Sequence, residues 1–176
     1  MTQKKIIVAL DSDNLKNAIS LVNNLKNDVY AFKIGYEFFL NFGINGYKSV
    51  QQKNVKIFLD LKLHDIPNSV KSGIDAITKL NPYFTTIHIS GGDEMQEAAV
   101  SVKKNTKIIG VSILTSLDSS QTKKYNYNDN IENIVSDYTH YALKNKSIVC
   151  LNHGYFYKYV GRHFKNQKEE SLPDLN

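Results

Sequence analysis

Ile57-Phe58-Leu59-Asp60-Leu61-Lys62-Leu63-His64-Asp65-Ile66-Pro67-Asn68-Ser69 opens as a strand and closes as the start of a helix. Side chains alternate along a strand, so Leu59, Leu61 and Leu63 share one face while Asp60 and Lys62 share the other. Pro67 marks the turn into the helix, because a first-turn amide has no intrahelical acceptor and proline gives up nothing there. An acid and an amine on a half-buried strand face are expensive to desolvate unless paired. One reading of the spacing is a pair that merely satisfies itself; the other is a pair held for chemistry.

Outward from this segment the same step from strand to helix recurs. Short apolar runs rich in β-branched residues predict strands at Ile6–Leu10, Val29–Ile34, Val55–Leu61, Thr85–Ile89, Lys107–Leu114 and Ser147–Leu151. Mixed polar and apolar stretches between them predict helices at Leu15–Lys26, Tyr36–Phe42, Asn68–Leu80, Asp93–Lys104 and Ile131–Lys144. In the first helix Leu15, Ala18, Ile19, Val22 and Leu25 form a stripe at three- and four-residue steps, with Asp13 or Asn14 available as N-cap. No internal repeat, heptad or linker divides the chain, so one domain is expected.

Six alternating units fit either an open doubly wound sheet or a (β/α)8 barrel cut short, and periodicity does not separate the two. Complete barrels usually need about 250 residues and rarely fewer than about 200, against 176 here. The barrel reading is therefore an α/β chain of TIM-barrel type, incomplete, with about six βα units. Charges gather where such a fold keeps its chemistry. Asp11 ends the first strand, Lys33 the second, and Asp60, Lys62 and Asp65 lie at the end of the third.

Composition narrows the function classes. Hydrophobic residues make up 41% and charged residues 22%, ordinary for a folded domain rather than a disordered one. The single cysteine, Cys150, forms no internal disulfide and has no metal-ligand spacing around it, so no metal is expected and a reducing cytoplasm is the expected location. The net charge of +5 comes from lysines scattered among asparagines rather than gathered in one block, which argues against a nucleic-acid partner. Ile6–Leu10 is too short for a signal core, and no apolar run reaches the roughly 20 residues that cross a bilayer, so no membrane partner is expected.

Val8-Ala9-Leu10-Asp11, Phe32-Lys33-Ile34-Gly35, the run Asp60-Leu61-Lys62-Leu63-His64-Asp65-Ile66-Pro67-Asn68, His88-Ile89-Ser90-Gly91-Gly92 and Leu114-Thr115-Ser116 together resemble orotidine 5'-monophosphate decarboxylases in order and spacing. The Asp-x-Lys-x-x-Asp motif is shared with a wider superfamily of decarboxylases and aldolases; the Ile-Pro-Asn after it is more specific. The resemblance implies decarboxylation of orotidine 5'-monophosphate to uridine 5'-monophosphate in pyrimidine synthesis, with no cofactor, by a homodimer. It implies that Lys62 delivers a proton to C6 of the pyrimidine and that Asp60 lies close to the substrate carboxylate. Lys33 joins that network and contacts the ribose, and Asp11 binds a ribose hydroxyl. Asp65 reaches across the dimer interface into the neighbouring site, with Ile66 and Ser69 nearby, the serine standing where threonine is more usual. Thr115 falls on a pyrimidine-contacting position, and His88 is expected to support the strand end rather than transfer a proton.

Beyond Cys150 the family would continue through a Pro-Gly-Ile-Arg loop, a glutamine-bearing lid and a Gly-Arg phosphate site. This chain instead runs Leu151-Asn152-His153-Gly154-Tyr155-Phe156 and on to a polar end. The expected division is residues 1–150 as an incomplete decarboxylase barrel and 151–176 as a divergent C-terminal tail. The aromatic and basic residues from His153 to Lys165 read as a helix covering barrel surface or a tail altered by truncation or frameshift, with a phosphate or nucleic-acid patch as the alternative. His153 and His163 lack a ligand set for a metal. Two other readings stay open: a non-catalytic remnant of the enzyme, and another sugar-phosphate decarboxylase, against which Ile66-Pro67-Asn68 argues. An unclosed barrel leaves edge strands unpaired, which predicts low stability.

Overall fold

The structure, a computed structural model, describes residues 6–125, 127, 130–145 and 148–150. Six strands, β1 (Ile7–Ala9), β2 (Ala31–Ile34), β3 (Ile57–Leu63), β4 (Phe84–His88), β5 (Lys107–Val111) and β6 (Ile148–Cys150), form one sheet in sequence order. Every pairing is parallel. A doubly wound sheet reverses its strand order at a switch point; this one does not. Right-handed crossovers that all advance in one direction put every helix on the same side of the sheet, which is the winding of a barrel.

The helices are α1 (Leu15–Leu25), α2 (Tyr36–Gln51), α3 (Pro67–Thr78), α4 (Asp93–Ser101), α5 (Ser119–Lys124) and α6 (Ile131–Lys144), with a 3-10 turn at Ile89–Gly91. Asn14, not Asp13, caps α1, its side-chain oxygen accepting the amides of Lys16 at 3.0 Å and Asn17 at 3.2 Å. Helix α2 runs nine residues past the predicted end at Phe42, because Gly43 (φ 55, ψ −149) bends the helix and lets a second stretch follow. Helix α5 was not predicted. Its sequence Ser-Ser-Gln-Thr-Lys-Lys has no apolar period and buries only Thr122, so its one legible signal is the Asp118 cap, which accepts the amides of Ser120 and Gln121. Strand β5 ends at Val111 rather than Leu114, and α4 at Ser101 rather than Lys104. Ser147, Leu151 and the expected tail 151–176, with His153 and His163, lie outside the described residues.

The core has two layers that follow the strand alternation. Phe32, Ile34, Ile57, Leu59, Ile87 and Ile108 turn outward and pack with Val22, Phe38, Val70, Ile74 and Met95 of the helices. Each large side chain fully withdrawn from water contributes roughly 1.5–3 kcal/mol. Phe58, Phe84 and Ile109 turn inward, with Tyr30 and Tyr83 packed against them. At the strands' N-terminal ends Tyr30 donates to the Tyr83 oxygen at 3.0 Å, Lys107 donates to the same oxygen at 3.2 Å, and Lys56 lies 4.0 Å from the Tyr30 ring centre. Tyr83 thus accepts twice, and the Tyr30 hydroxyl and the two cations push its ionisation below 10.0. This floor leaves the C-terminal ends of the strands for polar side chains.

Ile7 pairs with Ala31 and Ala9 with Lys33, so both face the barrel interior, yet both are exposed. Among the described residues β1 and β6 are the sheet's edges. No described helix is long and apolar enough to cross a membrane.

Candidate active site

Four charged residues from three adjacent strands meet at the C-terminal end of the sheet. The register that sets Lys33 beside Ala9 and Phe58 brings Asp11, just beyond β1, and Asp60, two residues past Phe58, onto the inward face with it. Asp60 is at the centre. Its Oδ2 lies 2.8 Å from the Lys62 ammonium and 3.8 Å from that of Lys33, and Lys33 lies 3.7 Å from Asp11 Oδ1. The Asp60 side chain is 10% exposed, those of Lys33 and Lys62 28% and 29%, and that of Asp11 56%. The two cations and two carboxylates balance, so the buried charge is compensated on the spot.

Simple alternation does not by itself explain the contact between Asp60 and Lys62. Leu59 pairs with Thr85 and Leu63 with Ile87, so four residues of β3 advance against two of β4. The slip is a bulge, and Lys62 within it takes φ 43, a conformation uncommon for a residue with a side chain. Leu59, Leu61 and Leu63 still join the helix-side core as the alternation predicts.

Thr86 was missed in the sequence. Its hydroxyl donates to Asp60 Oδ1 at 3.0 Å and accepts the Lys62 amide at 2.8 Å, and the residue is 1% exposed. The signal lay in β4, where Phe84, Thr86 and His88 alternate onto the inward face beside Asp60. His88 ends the same strand, half-buried, its ring stacked on His64 with centroids 5.1 Å apart. Burial pushes its imidazole below 6.5, the His64 and Lys62 charges add to this, and Asp60 opposes it.

The other expected site residues stand apart from the cluster. Asp65 is exposed and its carboxylate accepts the Ile66 amide at 2.6 Å. Ile66 is 67% exposed at the N-terminus of α3, and Ser69 is exposed in its first turn. Thr115 is exposed in the segment after β5. Among the described residues no group of three or more His, Cys, Asp or Glu side chains is arranged to hold a metal ion.

Chemically, the cluster presents a partly exposed ammonium, aimed by a buried carboxylate, at the C-terminal end of the sheet. Such a group favours negative charge developing beside it and can give that charge a proton.

Comparison with known proteins agrees with this arrangement. The sequence model of the orotidine 5'-phosphate decarboxylase / HUMPS family matches residues 4–155. An orotidine 5'-phosphate decarboxylase of Wolbachia sp. subsp. Brugia malayi is 50% identical over 116 residues, covering 65% of this chain and 52% of the relative. That of Ehrlichia chaffeensis is 43% identical over 131 residues, covering 73% and 57%. The chain thus spans about half the length of the curated relatives it matches. The crystal structure of orotidine 5'-phosphate decarboxylase from Lactobacillus acidophilus superposes with a TM-score of 0.75 at 34% identity, over 84% of this chain and 71% of that one. Sequence motif, strand winding and family match converge: the chain belongs to the orotidine 5'-phosphate decarboxylase / HUMPS family.

Proposed function

We propose that this chain decarboxylates orotidine 5'-monophosphate to uridine 5'-monophosphate, with Lys62 as the proton donor. The observation that carries the reading is the Lys33–Asp60–Lys62 contact at the C-terminal end of a barrel-type sheet. As the bond from C6 to the carboxylate breaks, its electron pair stays on C6 while carbon dioxide leaves. The Lys62 ammonium stabilises that pair and then transfers its proton to C6. Opposite charges about 4 Å apart at an effective dielectric of about 20 attract by roughly 4 kcal/mol. The largest enzymatic rate enhancements require on the order of 20 kcal/mol, so one lysine is insufficient. The balance comes from preorganised neighbours and from binding energy gathered at the remote phosphate.

In this reading Asp60 stands against the substrate carboxylate, Lys33 reaches the ribose, Asp11 binds a ribose hydroxyl and Thr115 meets the pyrimidine. Asp65, with Ile66 and Ser69, serves the site of a second copy in a homodimer. The exposure of Ile66, just after the third strand, and of Tyr36, whose hydroxyl donates to the Leu61 carbonyl, supports apolar surface available to that copy. In this reading the family's barrel portion falls within residues 1–150. A lone cysteine supports a reducing cytoplasmic location.

A second reading, a non-catalytic remnant, is favoured by one observation: Ile7 and Ala9 face the barrel interior and are exposed. Carbon dioxide release from orotidine monophosphate by the purified chain, with a parallel titration of uridine monophosphate, separates the two. Turnover above the uncatalysed rate sustains the enzyme; absence of both turnover and nucleotide binding sustains the remnant.

A further inference from the structure

We propose that Thr86 is a positioning residue that fixes where the Lys62 ammonium stands, and its kinetic consequence rests on the decarboxylase reading above. The bulge in β3 takes Lys62 out of the ladder register shared with β4, leaving its amide in need of another acceptor. The Thr86 hydroxyl supplies it at 2.8 Å. The same oxygen donates its proton to Asp60 Oδ1 at 3.0 Å, and the other oxygen of that carboxylate holds the Lys62 ammonium at 2.8 Å.

These contacts close a ring: Lys62 amide, Thr86 hydroxyl, Asp60 carboxylate, Lys62 ammonium. Both ends of the lysine are fixed by the two partners, its backbone directly by Thr86 and its tip through the carboxylate that Thr86 orients. A residue at φ 43 is not held by its own preference. A hydroxyl is suited to the task because one atom both accepts and donates. Valine has the same shape and does neither. Thr86 is 1% exposed and pairs with Ile109 in the β4–β5 ladder, so its strand is hydrogen-bonded to a neighbour and water does not compete for the hydroxyl.

The test compares the full-length wild type with Thr86→Val and Thr86→Ser. Misplacing a reacting group by about 1 Å can reduce turnover by on the order of 100-fold, so Thr86→Val is expected to lower kcat by roughly 10- to 100-fold with KM nearly unchanged. Thr86→Ser, which keeps the hydroxyl, is expected to recover kcat to near the wild-type value. A residue that only packs would not split kcat from KM, nor be rescued by a serine that loses a methyl group. Amide hydrogen exchange at Lys62 gives a readout independent of activity. In the wild type that amide is expected to exchange at least about tenfold more slowly than in an unstructured peptide, and Thr86→Val is expected to remove the protection. If the wild type shows no turnover, the decarboxylase reading fails while the exchange data still decide the positioning. An unprotected wild-type Lys62 amide overturns the proposal even if Thr86→Val does not fold. Equal kcat in Thr86→Val and wild type, or Thr86→Ser as slow as Thr86→Val, overturns it as well.

Discussion

The ammonium of Lys62 stands 2.8 Å from the carboxylate of Asp60, its neighbour two residues back on β3, within a strand that slips register against β4 between Leu59 and Leu63. Residues two apart on a regular strand point the same way but stand well separated. Here the ammonium reaches back to the carboxylate, Thr86 donates to the carboxylate's other oxygen, and the second ammonium, from Lys33, approaches Oδ2 from β2 at 3.8 Å.

That carboxylate is the cluster's electrostatic keystone, which makes Asp60→Asn a stability test. Breaking a buried ion pair from one side costs about 3–5 kcal/mol. Both lysines here keep more than a quarter of their side-chain exposure, so the loss is expected toward the lower end of that range. Urea unfolding of the variant beside the wild type measures it. An unchanged midpoint would mean that solvent already screens the pair.

The half-buried His88 predicts a pH dependence. The fold holds its imidazole below the ordinary 6.5, so between those values the unfolded chain binds a proton that the folded chain does not. Its contribution to stability is complete above pH 6.5 and is lost as pH falls through the folded value. The difference in thermal midpoint between wild type and His88→Gln should therefore narrow on going from about pH 7.5 to about pH 5.5. Parallel curves would contradict the assignment.

Gly43 offers a backbone test remote from the site. At φ 55 it occupies the region that disfavours a side chain, and a Cβ there would touch nothing within 4 Å. Gly43→Ala should thus lose roughly 1–3 kcal/mol through the backbone alone, with nucleotide chemistry unaffected. Chemical denaturation and a turnover assay on the same variant read the two effects separately.

Much of this was legible in the amino-acid order. Strand alternation assigned Leu59 and Leu63 to the helix side and Asp60 to the interior, and Pro67 marked the start of α3. The choice between barrel and doubly wound sheet was not legible, because it depends on which strands pair, and pairing leaves no local period. The second half of α2 was hidden by Gly43, which reads as a stop but acts as a bend. The bulge at Lys62 was hidden because a non-glycine residue with positive φ has no sequence mark, and Thr86 because a threonine in a strand ordinarily reads as β-propensity. Ile66, Ser69 and Thr115 were legible only through family resemblance, Asp65 also through its place after the third strand, and all four are exposed.

The central claim is that the Lys62 ammonium performs the chemistry, and the most direct measurement is the turnover of orotidine monophosphate by wild type and Lys62→Ala at equal protein concentration. Removing one group aimed at developing charge usually reduces kcat by on the order of 100- to 1,000-fold, and loss of the proton donor as well places the expected fall at or beyond the upper end. Equal rates in the two proteins would contradict the account.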